Sequence, residues 1–395
     1  MSLVEPDDHA LADARDEFVR HAIRAGVRLR GHHNQNFVLP LTEGLARHVE
    51  CEVGTPVTVR IRRPEALPVV VRTWPREGEV LDAVGRVLPH QVPRCLAVGR
   101  EASIHSYVDG VPLSALHPDG TAVPGDFVEE LAGLLARMAQ VGREALPPLP
   151  ADWSSDDRDS RGFLRLLTAQ VDHQVREPNW HVFGQLFVAL GVPEDAMRRF
   201  ADRLPAMTRR PFALLHADLH RDNVIVTRSG APPLVCVDWE LATYGDPLHD
   251  LAIHLVRMRY PKPQRERVID GWCRALRRTN PDSVDGVARD LRHYIEFERA
   301  QSVYPDVVRA AQSLTGHPDR PGRRELARST AVVRKALKAA AGPLGLDDVP
   351  DVADIERALG KWCRFSTSAP PSPATPAPRR PDVPPPPPPA RTPPQ

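Results

Sequence analysis

The alternation of apolar and polar positions divides the chain into a strand-rich first part and a helix-rich remainder. Near the start, Leu11, Phe18, Val19, Ala22 and Ile23 share one face of a helix. The runs FVLPL (37–41), VTVRIR (57–62), LPVVVRTW (67–74) and ASIHSYV (102–108) read as short strands between Gly- or Pro-containing turns. A helical stretch, EGEVLDAVGRVL (77–88), follows the third of them. Beyond Tyr107-Val108-Asp109-Gly110 the period lengthens. Asp126 is placed to cap a helix bearing Phe127, Leu131, Leu134, Leu135 and Met138. Further helical patterns cover 160–175, 180–204, 247–259, 264–277, 286–302 and 323–340. One strand-rich island, 212–238, interrupts them. The pattern predicts an α+β, bilobal architecture, with a small β-rich lobe over 1–108 and a larger, mainly helical lobe over 109–365.

Composition then removes several classes of function. Of 395 residues, 52 are Lys or Arg and 51 are Asp or Glu, so no basic excess exists to hold nucleic acid. The hydrophobic share of 42% is enough for a sizeable core. No run approaches the length of a membrane span, and the N-terminus lacks the apolar stretch of a signal peptide. Five scattered cysteines without a CxxC pair argue against a disulfide framework and a cysteine-rich zinc site. A reduced, cytoplasmic protein is the expectation. From Ser366 to Gln395, fourteen of thirty residues are proline, which predicts a disordered or polyproline II tail. Its functional reading is a ligand for a proline-binding module; its simpler reading is a spacer.

The chemistry concentrates in the island. FALL (212–215) leads into His216-Ala217-Asp218-Leu219-His220-Arg221-Asp222-Asn223, and VIVT (224–227) and LVCV (234–237) form a hairpin pattern. Asp238 stands directly after the second hairpin strand. This arrangement suits phosphoryl transfer, which needs positioning, a metal among the phosphates and a carboxylate beside the attacking hydroxyl. Asp218 can accept the substrate proton, while Asn223 and Asp238 offer oxygens to Mg²⁺.

HADLHRDN (216–223), VDWE (237–240) and GDPLHDLA (245–252) resemble the aminoglycoside phosphotransferase family, relatives of choline kinases and, more distantly, of protein kinases. The resemblance implies a protein-kinase-like bilobal fold and an ATP- or GTP-dependent kinase that phosphorylates a small hydroxylated molecule, an antibiotic or a primary metabolite. It implies Asp218 as catalytic base, Asn223 and Asp238 as Mg²⁺ ligands, His216 as a brace for the loop, and Asp246 and Asp250 as structural or substrate-side acids.

A kinase fold also grips the nucleotide phosphates with a strand cation paired to a helix carboxylate. The only lysines are Lys262, Lys335, Lys338 and Lys361, so an arginine must serve in the first lobe. Arg72 with Glu79 is the expected pair; Arg60 and Arg62 compete with the former and Glu77 with the latter. Asn34 and Asn36, in the segment Gly31–Phe37, are expected in the phosphate-covering loop. The adjacent His32 and His33 read as surface decoration rather than metal ligands. Tyr107 and Val108 are expected to meet the base through backbone groups. Glu296, Glu298, Gln301, Tyr304 and Asp306 are either a cation-binding acceptor wall or a solvated face. A non-catalytic nucleotide-binding regulator and a protein kinase are the competing functions.

Overall fold

A computed structural model describes residues 6–29, 31, 34–63, 67–315 and 322–368. Helix α1 (Pro6–Ala25) buries Phe18 and Ala22 against the outer face of an antiparallel sheet. That sheet comprises β1 (Val27–Leu29), β2 (Asn34–Pro40), β3 (Pro56–Arg62), β4 (Cys95–Val98) and β5 (Ala102–Ser106), in the order β1-β2-β3-β5-β4. A short helix, α2 (Glu43–Ala46), lies between β2 and β3, and α3 (Glu77–Val87) between β3 and β4. Successive strand residues face opposite sides. Val57 and Val59 of β3 therefore join Phe37 and Ile104 in the small core. Arg60 turns to the other face, in register with Asn36 on β2 and Ser103 on β5.

The run at 67–74 is not the strand its β-branched residues predict. It pairs with no strand, and the larger lobe's side chains satisfy its polar groups instead. Asn179 Nδ2 donates to the Pro68 carbonyl (2.8 Å), and the Arg72 N–H donates to Gln174 Oε1 (2.9 Å). Thr73 bonds Thr243 (2.6 Å), and Trp74 Nε1 reaches the carbonyl of Pro148 (3.1 Å). Val69 and Trp74 pack into the large core together with Val80, Leu81 and Val84 of α3. The apolar run is thus a strap that fixes the start of α3 to the large lobe.

After β5 the chain passes through Tyr107–Asp109 into β6 (Gly110–Pro112), α4 (Leu113–Leu116) and α5 (Gly125–Met138). Asp126 falls inside the first turn of α5 and does not cap it; Pro124 is the N-cap. Helix α6 (Ser160–Val171) runs through a π turn at Asp172–Arg176 into α7 (Glu177–Ala189). The single helix expected over 180–204 breaks at Gly191, whose φ of 78° suits glycine, before α8 (Ala196–Asp202). Strand β7 (Ala213–Leu215), the hairpin β8 (Val224–Thr227) with β9 (Leu234–Cys236), and β10 (Thr243–Gly245) then carry the polar loops. Two small antiparallel sheets result, β6-β8-β9 and β7-β10. Helices α9 (Pro247–Arg257), α10 (Lys262–Arg277), α11 (Val287–Gln312), α12 (Arg323–Leu344) and α13 (Val352–Ser368) complete the large lobe. Among the described residues no helix is long and apolar enough to cross a membrane, and no disulfide links the five cysteines. The proline-rich stretch beyond Ser368 lies outside the described residues.

Candidate active site

Strand β7 delivers His216-Ala217-Asp218 to the site, and Asp250 of α9 fastens that turn. Its carboxylate accepts the N–H groups of His216 (2.8 Å) and Ala217 (2.7 Å). Ala217 has φ 57°, a conformation that costs a non-glycine residue energy and that these two bonds hold in place. Burial pushes the Asp250 carboxyl up to about 7, against the pull of both N–H donors. His216 is fully buried; its Nε2 donates to the Val237 carbonyl (3.1 Å) and its ring lies 4.5 Å from that of Trp239. Burial lowers its basicity, so the imidazole is a neutral brace between the two loops.

The same pair of loops is stitched a second time: the Val237 N–H donates to the Asn223 carbonyl (2.9 Å). Asn223 Nδ2 bonds the Asp218 carbonyl (3.0 Å) and Asp218 Oδ2 (3.2 Å), which leaves its amide oxygen for a cation. Asp218, Asn223 and Asp238 are therefore brought together. Asp218 Oδ1 is ion-paired with Arg257 at the end of α9, and His220 Nε2 lies 3.6 Å from Oδ2. Burial alone would raise the Asp218 carboxyl; Arg257, helped by His220, instead holds it down at about 2. Arg257 also binds Glu298 of α11 (2.7 Å), a side chain with no exposed surface. The sequence reading did not single out Arg257. Its spacing of seven residues from Asp250, two helical turns, sends both toward one loop.

Residues 238–240 reach across to the small lobe one after another. Asp238, with φ 67°, accepts from Arg60 Nη2 (2.6 Å) through Oδ1. The Trp239 N–H donates to Glu77 Oε1 (3.0 Å). Glu240 takes Arg72 Nη2 (2.9 Å) and Asn34 Nδ2 (3.0 Å). The strand-to-helix ion pair is thus Arg60–Glu77 (2.8 Å), not the expected Arg72–Glu79. Arg72 sits on the strap, out of reach of the helix acid, and Glu79 pairs with Arg76 on the surface. The reason is rotational: Glu77 opens α3 facing Arg60, and two residues later the helix has turned about 200°.

Asn34 binds Glu240, and Asn36 shares the cleft-facing side of the sheet with Arg60. Gly31 admits this tight approach, since a Cβ there would lie 2.5 Å from the Asn34 carbonyl oxygen. Arg30, His32 and His33 lie outside the described residues. Tyr107 donates its N–H to Pro56, whereas neither backbone group of Val108 bonds another described residue. Asp246 is remote from this chemistry. Wholly buried, it caps α9 through the Leu248 N–H (3.0 Å) and binds Arg210 (2.7 Å) and the Tyr294 hydroxyl (2.8 Å). Asp290 completes that buried network on Arg210 (2.8 Å).

Two guanidinium groups, Arg60 and Arg72, face three carboxylates, Glu77, Asp238 and Glu240. Burial, reinforced by the neighbouring acids, pushes Glu77 up to about 8 and Glu240 upward as well. A cation beside Asp238 would relieve this crowding. Among the described residues no three His, Cys, Asp or Glu side chains form a metal cage. The oxygen set of Asp238 and Asn223 suits Mg²⁺, which takes few protein ligands and completes its shell with phosphates and water.

The phosphotransferase enzyme family model designated APH matches residues 30–287. No curated protein sequence matches the chain. Among solved structures, ethanolamine kinase from Plasmodium vivax superimposes with a TM-score of 0.51 at 10% identity, over 87% of this chain and 95% of that one. Macrolide 2′-phosphotransferase from Brachybacterium faecium gives 0.46 at 18% identity, covering 85% and 99%. A choline/ethanolamine kinase family protein from Mesorhizobium loti gives 0.47 at 16%, covering 90% and 99%. At 10% identity the superposition on the ethanolamine kinase is a likeness of fold, a protein-kinase-like pair of lobes. The family match spans more than half of the sequence and both lobes, and the chain belongs to the APH phosphotransferase family, small-molecule kinases that act on hydroxyl groups.

Proposed function

We propose that this enzyme transfers the terminal phosphoryl group of ATP, bound with Mg²⁺, to a hydroxyl of a small polar molecule such as an antibiotic or related natural product. The observation that carries the reading is the joint stitching of the 216–223 and 237–240 loops, which draws Asp218, Asn223 and Asp238 together beneath Arg60. Asp238 and the Asn223 amide oxygen would hold the cation, which when bound neutralises phosphate charge. Arg60, kept in place by Glu77, would contact the phosphates bidentately, and the unengaged backbone of Val108 would meet the base. Asp218 would accept the hydroxyl hydrogen through Oδ2. With Arg257 as counter-ion it is a weak base, and this suits a loose transition state in which the acceptor loses its proton late.

The acceptor end argues against a polycation. A polycationic aminoglycoside needs several uncommitted carboxylates, but Glu298 is spent on Arg257 and Gln301, Glu296 lies against His293 (3.5 Å), and of these acids only Asp306, with Arg309 and Arg257 as its nearest opposite charges, is left without a direct ion pair among the described residues. Tyr304 is buried in the core. A neutral or weakly charged hydroxylated acceptor fits better. Acceptor-stimulated ADP release over a panel of antibiotics, sugars and amino alcohols, with Asp218→Ala as control, tests the proposal. Nucleotide binding without acceptor-stimulated turnover anywhere in the panel would refute it and favour a regulator.

A further inference from the structure

The two lobes bury separate apolar cores, and α3 joins the one that its place in the chain does not suggest. Phe18 and Ala22 of α1 pack with Val57, Val59 and Ile104 behind the sheet. Helix α3 lies in the chain between two strands of that sheet. Yet its Val80, Leu81 and Val84, with Leu88 just past its end, belong to the core of the large lobe. On its cleft side the sheet presents Asn36, Thr58, Arg60, Ser103 and His105, a mostly polar set.

Hydrogen bonds fasten α3 to the large lobe at both ends. At its start the Trp239 N–H donates to Glu77 (3.0 Å), and the strap before it is held by Gln174, Asn179 and Thr243. Past its end the Cys236 N–H donates to the Gln91 carbonyl (2.8 Å). The sheet grips the helix differently. Arg60 pairs with Glu77, Cys95 touches the margin of the large core, and Val98 and Ser103 lie against Gly78. A Cβ on Gly78 would come within 2.9 Å of Val98, so the helix surface is smooth where the sheet crosses it. An ion pair and a smooth contact part or slide more readily than an interlocked apolar core.

We propose that α3 moves with the large lobe, and that the cleft opens by motion of the sheet and α1 about Val108, which carries Arg60 away from Glu77 and Asp238. Val108 is where the two bodies join. Tyr107 before it bonds Pro56 of the sheet, and the Asp109 carbonyl after it accepts the Arg228 N–H (3.0 Å) of the large lobe. Asn34 leaves Glu240 in the same motion, while Arg72, on the strap, stays on that carboxylate. In protein kinases the helix acid is repositioned to control activity. In this chain the acid stands still and the strand cation travels. Closure over the nucleotide, the one step that rests on the proposed function, brings Arg60 to the phosphates.

The test places spin labels, on a genetically encoded keto amino acid that spares the cysteines, at the exposed positions Val53 in the β2–β3 connection, Val87 at the end of α3 and Glu266 on α10. Pulsed electron resonance then reads the 53–266 and 87–266 distances in the full chain, with and without Mg²⁺ and a non-hydrolysable ATP analogue, and in Arg60→Met/Asn34→Ala. Thermal melting verifies that the double variant folds, and the analogue comparison repeats the measurement on the unaltered sequence. The expected result is a 53–266 distance longer by more than about 2 Å in the double variant than in the analogue-bound chain, with 87–266 constant to within about 1 Å. Val87 moving together with Val53, or a 53–266 distance that is the same in every state, overturns the proposal. Calorimetry of the analogue reads nucleotide binding by itself. A chain that binds no analogue, yet parts Val53 from Val87 in the double variant, keeps the hinge and loses the kinase reading.

Discussion

Replacing Arg257 by Met separates what this side chain does for the fold from what it does for Asp218. The guanidinium bridges Asp218 Oδ1 and Glu298 Oε1, and the Glu298 side chain has no exposed surface. Removing the bridge leaves Glu298 with Gln301 as its remaining side-chain partner. Breaking one side of a buried ion pair costs about 3–5 kcal/mol, and the 32% exposure of Arg257 points to the lower end, about 3. Glu298→Gln alone leaves Arg257 still paired with Asp218 and should cost only about 1–2 kcal/mol. In the double variant the buried carboxylate at 298 is gone and only Asp218, still held by Asn223 and His220, lacks its counter-ion, so stability should recover to within about 2 kcal/mol of wild type. That is a coupling of about 2 kcal/mol, read by urea unfolding of all four proteins. Turnover should behave differently. Both variants lacking Arg257 leave the Asp218 carboxylate held by Asn223 and His220 alone, so kcat should fall in each while the KM for nucleotide moves little. Additive stabilities, with coupling below about 0.5 kcal/mol, would refute the bridge. Full turnover in the double variant would refute the positioning role.

Three further outcomes follow from the same contacts. Arg60→Met should raise the KM for ATP and lower kcat/KM by about two orders of magnitude, whereas Arg72→Met, lacking the helix acid, should act chiefly on stability; steady-state kinetics distinguishes them. Asp246→Asn removes a carboxylate from a buried network in which Arg210 would keep only Asp290 as a charged partner, beside the Asp285 carbonyl, so unfolding free energy should drop by about 3 kcal/mol, and an unchanged melting curve would contradict the network. Asp250 gives a pH signature. Its folded carboxyl, at about 7, lies above the unfolded value near 4, so the folded state holds the proton more tightly. Its contribution to stability is complete below pH about 4 and is lost as pH rises through about 7. Asp250→Asn should remove that part of the decline, and identical pH slopes for the two proteins would rule the assignment out.

The 216–223 loop was legible in the sequence because its polar residues are contiguous and flanked by apolar runs too short to be anything but strands. The first lobe was less so, for a physical reason. VTVRIR and VVVRTW have the same β-branched composition and each carries an arginine, so periodicity ranks them equally. What separates them is a neighbour: β3 has β2 and β5 on either side, while 67–74 is held by Gln174, Asn179 and Thr243, more than a hundred residues away. That difference turns Arg60 rather than Arg72 toward α3. Arg257 was hidden in another way. Within the helical pattern 247–259 it reads as an exposed basic residue at a helix end, a position the helix dipole favours unaided. Only once Asp250 is seen gripping the turn before Asp218 does a basic residue two turns along the same helix become a partner for the acid itself. Glu298 is the mirror case: a charge that reads as solvated face is wholly buried because a cation from α9 meets it there. Long-range charge pairing, rather than local propensity, is what one strand of sequence conceals.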